Sequence, residues 1–262
     1  MTQTPAMQFN DGAAYERLMG RWSRKVGADF LSWIAVPPGQ SWLDVGCGNG
    51  AFTEEIVARA VPSAVTGVDP SPGQIAYAKT RACAALAQFD IGDAQQLPFK
   101  DALFDAGVMA LVIAFLADPL KGAKELKRVV KPGGIAATYM WDLPGGGVPT
   151  SPFYKTLKGM GLDVPHPQSA EISRQQALEH LWRDAGFHEV ETTPLTITVR
   201  FTDFDDFWES NHQPVGPQAE RLRNLSDAQR QELQKRLKES LLPGPDGSIS
   251  YQAVANAVKG KA

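Results

Sequence analysis

Only two cysteines, Cys47 and Cys83, occur in the 262-residue sequence. They are too few for a disulfide framework, so a reducing compartment, the cytoplasm, is the expected location. Strongly basic segments are missing, and the formal net charge is -3. DNA and RNA call for clustered Lys and Arg, so nucleic acid is not an expected partner. Long apolar runs are missing too. The longest, Val108 to Ala117, has about half of the roughly 20 residues that a bilayer-spanning helix needs, and no membrane partner is expected. The opening Met1-Thr-Gln-Thr-Pro-Ala-Met7 has neither the basic nor the apolar region of a secretory signal. The four histidines include no pair at metal-ligand spacing, and no metal is expected. Internal repeats and low-complexity tracts are lacking as well.

What is present is an ordinary globular balance, 43% hydrophobic and 21% charged, able to build a sizeable core in one elaborated domain over 1–262. Across 41–142, short apolar runs alternate with helical patterns. Strands are predicted at Ser41–Gly46, Ala64–Asp69, Ala85–Ile91, Phe104–Val112 and Ile135–Trp141, and helices at Ala51–Ala60, Ser71–Arg81 and Pro119–Val130. That alternation predicts a mostly parallel sheet covered by helices on both faces. A helical pattern over 10–34 precedes it. Residues 143–172, rich in Pro and Gly, predict a loop-rich insertion. A helix at Ser173–Ala185 follows, then a strand at Glu189–Phe201 interrupted at Pro194. A helical insertion over 203–242 and a last strand at Gly247–Val258 complete the chain.

The chemistry concentrates in Leu43-Asp-Val-Gly-Cys-Gly-Asn-Gly50, between the first strand and the first helix. Alternate glycines let the backbone turn sharply and approach a ligand, at the strand end where open α/β sheets bind one. Asp69 ends the second strand, where a carboxylate accepts two hydrogen bonds from the vicinal hydroxyls of a ribose. Gly92-Asp-Ala94 ends the third. There Asp93 suits an exocyclic amine, and the Ala94 amide suits a ring nitrogen of adenine. Plainer readings stand beside these. The glycine triplet also fits a simple tight turn, Asp69 or Ser71 a helix N-cap, and Cys47 a small buried residue. An NAD-dependent oxidoreductase uses a related turn, but its Gly-x-Gly-x-x-Gly has the third glycine one residue later than Gly50.

The three loops, together with Phe104-Asp105, Leu116-Ala-Asp-Pro119 and Arg128-Val-Val-Lys-Pro-Gly-Gly134, resemble the class I S-adenosylmethionine-dependent methyltransferases. The bacterial group related to ubiquinone and menaquinone methyltransferases is the nearest likeness, over about residues 10–142. The resemblance implies a Rossmann-like, mostly parallel seven-stranded sheet with a helical cap inserted between the last two strands. It implies S-adenosylmethionine as cofactor, S-adenosylhomocysteine as product, and a small-molecule acceptor. Asp44 and Gly46 would hold the methionine portion, Asp69 the ribose, and Asp93 with Ala94 the adenine. Ala110 would lie near the methyl-bearing sulfur, with Cys47, Gly48, Pro70, Gln74, Gln95 and Leu111 completing the cofactor contacts. An N-terminal helix covers the cofactor in such enzymes, which makes Tyr15, Arg21 and Trp22 candidates; Tyr15 and Trp22 fit core packing equally. A protein of this fold that binds the cofactor without transferring a methyl group is the alternative.

One departure bears on the acceptor. Many quinone-methylating relatives carry His after Leu111-Val-Ile113, where this chain has Ala114 and Phe115, which argues against quinone precursors. Acceptor contacts are sought instead at Tyr139, Trp141 and Asp142. His212 is a further candidate, as base or hydrogen-bond partner under a lid of Phe204, Phe207 and Trp208. Its plainer reading is a solvated loop residue beside packed lid aromatics. His166, His180 and His188 read as loop or surface residues. A base is needed only for an acceptor that keeps its proton at neutral pH, so no catalytic residue has to be evident. The aromatic cap points to a partly apolar acceptor in an enclosed pocket.

Overall fold

Parallel strands are apolar on both faces and need cover on both; the segments between the strands of this chain supply it. The computed structural model describes residues 16–162, 165–213 and 221–262, so Tyr15 lies outside the described residues. A single turn at Glu16–Gly20 leads into α1 (Arg21–Ile34). Then come β1 (Ser41–Val45), α2 (Ala51–Ala60), β2 (Ala64–Asp69), α3 (Pro72–Ala78), β3 (Ala87–Ile91) and β4 (Phe104–Ala110). The second half runs α4 (Pro119–Val129), β5 (Val130–Trp141), α5 (Ser151–Gly159), α6 (Gln175–Asp184), β6 (His188–Phe201), α7 (Phe204–Asn211), α8 (Asp227–Ser240) and β7 (Ile249–Lys261).

The seven strands form one sheet in the order β3-β2-β1-β4-β5-β7-β6. The first five are parallel, and β7 runs antiparallel between β5 and β6. Side chains alternate along each strand, so β5 sends Ala137, Tyr139 and Trp141 to one face and Ala136 and Met140 to the other. The first face packs under α1, α2 and the cap, with Val26, Phe30, Ile34 and Ile56 buried. The second packs under α4 and α6, with Leu126, Val129, Leu178 and Trp182 buried. The chain order reverses between β1 and β4, which opens a crevice at the carboxyl ends of the strands.

Three local expectations are corrected. Residues 143–172 are not all loop, because α5 starts with Pro152 in its first turn and buries Phe153 and Leu157. Phe153 packs against Phe207 (5.3 Å) and Trp208 (5.7 Å), a tertiary partnership that a local reading of Pro and Gly cannot see. Strand β6 continues through Pro194, which pairs with Asn256. β6 is an outer strand, where a residue without an N–H is tolerated. The irregularity falls instead between His188 and Glu191, where Glu189 adopts φ 48°. Finally, β5 begins at Val130 rather than Ile135, since Val130 already pairs with Phe104.

Candidate functional site

β1 delivers the glycine turn with Gly46, Gly48 and Gly50 at φ 72°, 52° and 79°, all in the left-handed region that side chains resist. The Gly46 and Cys47 amides donate to the Val68 carbonyl (2.7 and 3.0 Å), tying the turn to the end of β2. A Cβ on Gly46 would lie 2.4 Å from a Val112 methyl carbon, whereas one on Gly48 would meet nothing within 4 Å. The turn is therefore packed below Gly46 and open above Gly48.

Asp69 joins the first two turns. Its Oδ2 accepts from the Gly48 amide (3.0 Å) and its Oδ1 from the Ser71 amide (2.9 Å), while Ser71 itself caps α3. Each oxygen keeps a second acceptor direction. Burial pushes the Asp69 carboxyl above its usual range, partly offset by those two amides.

Asp44 is fully buried at the end of β1. Thr53 donates to its Oδ2 (2.6 Å), and its Oδ1 has no hydrogen-bond partner among the described residues. Burial, with the nearby Asp69 charge, pushes this carboxyl up to about 7 against the bond from Thr53. In an unfolded chain the same group ionises near 3.8. Its charge therefore costs no folding stability below that value, an increasing amount up to about pH 7, and a constant amount above. Asp44→Asn is expected to melt above the parent protein, with a difference that widens from about pH 4 to about pH 7 and then stays level. Melting curves across that range would show otherwise if the two proteins ran parallel.

A single cavity of about 610 Å³ connects these groups. Asp44, Gly46, Cys47, Gly48, Asp69, Pro70, Gln74, Asp93, Ala94, Ala110, Leu111 and Tyr139 all line it. Asp93 Oδ1 accepts from the Gln95 amide (2.8 Å), which folds the third turn. Leu111 holds φ 61° on the cavity floor, its amide donating to the Tyr139 carbonyl (2.9 Å). Such a conformation persists in a bulky residue only where its surroundings enforce it. Cys47 is wedged against Gly67, where a Cβ would come within 2.9 Å of its sulfur. Burial and the neighbouring carboxylates push its thiol well above its ordinary value, which removes it as a nucleophile.

Other candidates lie elsewhere. Arg21 reaches Ser210 (3.0 Å) and Asp206 (3.4 Å) and sits over the rings of Trp22 and Phe201. Trp22 packs edge-on against Phe201, so both residues bind α1 to β6 and α7. Gln95 accepts from the Asp118 amide (2.8 Å) outside the cavity lining. Asp142 closes its own turn by accepting from the Gly145 amide (3.0 Å). His212 bonds the Trp208 carbonyl through Nδ1 (2.9 Å) and lies 3.9 Å from the Trp208 ring, inside the cap. Burial lowers the imidazole below its ordinary value, so it stays neutral there as a packing residue.

The sequence reading missed the opposite face of the N-terminal helix: Leu18, Met19, Ser23 and Arg24 line the cavity in place of Arg21 and Trp22. A four-residue step from Met19 to Ser23 is the helical signal that would have marked that face. His166 is an exposed loop residue as expected, and it also lines the cavity and stacks on Tyr154 (5.9 Å, 21° between rings), which the sequence did not signal.

Residues 43–138 match a family described as a methyltransferase domain. A 2-methyl-6-phytyl-1,4-hydroquinone methyltransferase of Synechocystis is 33% identical over 76% of this chain and 60% of its own length. A demethylmenaquinone methyltransferase of Symbiobacterium thermophilum is 34% identical over 44% of this chain and 47% of its own. The matched region spans roughly half the length of the curated relatives. The fold is shared with phosphoethanolamine N-methyltransferase 2 of Haemonchus contortus, solved with S-adenosyl-L-methionine. There the TM-score is 0.56 at 19% identity, covering 95% of this chain and 56% of that one. Among the described residues, no helix is long and apolar enough to cross a membrane and no cluster suits a metal ion. Three strand-end turns around one cavity, in a sheet of this order, and these likenesses agree: residues 43–138 carry a methyltransferase domain, and the chain is similar there to menaquinone and hydroquinone methyltransferases.

Proposed function

We propose that the chain binds S-adenosylmethionine across the ends of β1, β2 and β3 and passes its methyl group to a small, partly apolar molecule. One observation carries this: Asp44, a buried carboxylate with one oxygen unpartnered among the described residues, lines the same cavity as Asp69, Asp93 and the unobstructed Gly48. A cation beside Asp44 would offset the burial of its charge, and the cofactor brings both an ammonium and a sulfonium. Asp69 takes the ribose hydroxyls on its free acceptor directions, Asp93 the adenine amine and the Ala94 amide a ring nitrogen. Gly46 and Gly48 let the methionine portion lie against the backbone, and Ala110 and Leu111 form the floor beneath the sulfur. Once bound, the cofactor supplies a methyl carbon activated by the positive sulfur.

The chain's main task is then to align an acceptor atom in line with that carbon. Placement alone is worth up to about 7–11 kcal/mol in the best oriented reactions. Leu18 and Met19 roof the cavity and exclude water from the reacting atoms. A cytoplasmic setting suits the two buried free thiols.

Titration calorimetry tests the assignment. S-adenosylmethionine and S-adenosylhomocysteine are each expected to bind one per chain, and NAD not at all. A folded protein giving neither heat nor a melting shift with either sulfur nucleoside would overturn it. Formation of S-adenosylhomocysteine with a panel of small acceptors then separates transfer from binding alone.

A further inference from the structure

The glycine turn that follows β1 is held from two sides. On the sheet side, the Gly46, Cys47 and Gly48 amides are tied to Val68 and Asp69. On the outer side, the chain runs through Asn49 and Gly50 into α2, and a residue from another part of the fold reaches it there. Arg81 comes just after α3, and its Nε donates to the Asn49 carbonyl (2.6 Å). Its Nη1 donates to Glu54 Oε2 (2.9 Å) in the first turn of α2, and its guanidinium lies 5.6 Å from the centre of the Tyr77 ring. A Cβ on Gly50 would sit 3.3 Å from Arg81 Cδ, so the stem of the side chain packs on the turn as well. The Arg81 side chain is only 14% exposed, yet it is not among the residues that line the cavity. A charged donor makes a stronger bond to a carbonyl than a neutral one, and a guanidinium serves two acceptors at fixed angles.

Three left-handed glycines would leave this turn loose without such ties, because glycine has the widest choice of backbone conformations to lose. We infer that Arg81 is a positioning residue for the cofactor: by holding the Asn49 carbonyl it keeps the turn in the shape that receives the methionine portion. This rests on the cofactor placement proposed above. The effect is one of population, since a turn that adopts the receiving shape about a tenth of the time binds about tenfold more weakly. The adenine side has its own support. Asp93 Oδ1 accepts from the Gln95 amide (2.8 Å), and the Gly92 amide donates to the Asp69 carbonyl (3.2 Å). Loss of Arg81 is therefore felt at one end of the cofactor and not at the other.

The test compares S-adenosylhomocysteine with methylthioadenosine, which keeps the nucleoside and the sulfur and lacks the amino acid portion. Both are titrated into the full chain by calorimetry, well below its melting temperature. Arg81→Met keeps an apolar stem against Gly50 and removes the donors. Its affinity for S-adenosylhomocysteine should fall about 5–20-fold, within the worth of one charge-assisted hydrogen bond, while that for methylthioadenosine changes less than about twofold. Arg81→Lys keeps a single charged donor, so its loss should be smaller, about 2–5-fold, again for S-adenosylhomocysteine alone. It carries the test should Arg81→Met not fold. A merely structural role would lower the melting temperature and leave the ratio of the two affinities as in the parent. An unchanged ratio in the folded variants therefore overturns the role given to Arg81. Failure of S-adenosylhomocysteine to bind the parent protein overturns the cofactor placement instead.

Discussion

Asp69→Ala is expected to weaken S-adenosylhomocysteine binding by about 10²–10⁴-fold, because it removes two charge-assisted hydrogen bonds worth about 1.5–3 kcal/mol each. The melting temperature should move far less. In the free protein the carboxylate anchors the Gly48 and Ser71 amides, yet burial also charges a cost for its ionisation, and removing the side chain cancels one against the other. Asp69→Asn separates the two roles. Its single acceptor oxygen can serve one amide or one hydroxyl, so the affinity loss should be smaller than in Asp69→Ala while remaining clear. Since the folded protein holds this carboxyl above its usual range, binding should also weaken in acid at a higher pH than an ordinary aspartate would impose. Calorimetry on the three proteins between about pH 4 and 8 checks both points. Equal affinities for parent and alanine variant would remove Asp69 from the cofactor site.

Gly46→Ala should be the most damaging single substitution to the fold at this site. The new Cβ would approach Val112 carbons at 2.4 and 2.9 Å, and the backbone there has φ 72°. Overpacking costs about 1–3 kcal/mol and the left-handed conformation about 1–2 more, for a combined loss of roughly 2–5 kcal/mol. In a chain of this size that is a fall of roughly 5–20 °C in melting temperature. Gly46→Ala combined with Val112→Ala relieves the collision and leaves the backbone strain, so about half of the loss should return. Gly48→Ala forms the contrast. Its Cβ would enter open space, so stability should suffer less and S-adenosylhomocysteine binding more. Thermal melts with and without ligand give all four values, and a Gly46→Ala protein as stable as the parent would contradict the packing described.

Much of the cavity lining was readable along the chain because it is built from local turns. Each strand end meets its loop within a few residues, so Gly46, Asp69 and Asp93 announce themselves by their position after an apolar run. The cavity lining contributed by Trp141 and His166 was not readable in the same way. Trp141 and His166 come from segments on either side of α5, and only the packing of Phe153 under Phe207 and Trp208 brings the intervening stretch over the sheet. His212 shows the converse case, in which the plainer reading of packed aromatics fits better. Its proximity to a run of aromatics suggested a catalytic lid, but those rings face each other and close over it. Arg21 and Trp22 lie a fraction of a helical turn from Ser23 and Arg24, which line the cavity, since adjacent residues on a helix point about 100° apart.

The sequence by itself determined the alternation of strand and helix and the three turns that line the cavity, because hydrophobic period and glycine placement act over a few residues. Tertiary structure alone decided which face of α1 roofs the cavity, that Asp44 lies buried with an oxygen unpartnered among the described residues, and that Trp141, Tyr154 and His166 line one cavity. Those facts depend on which distant side chains exclude water from one another, and burial of that kind is a property of the packed chain rather than of any short stretch of it.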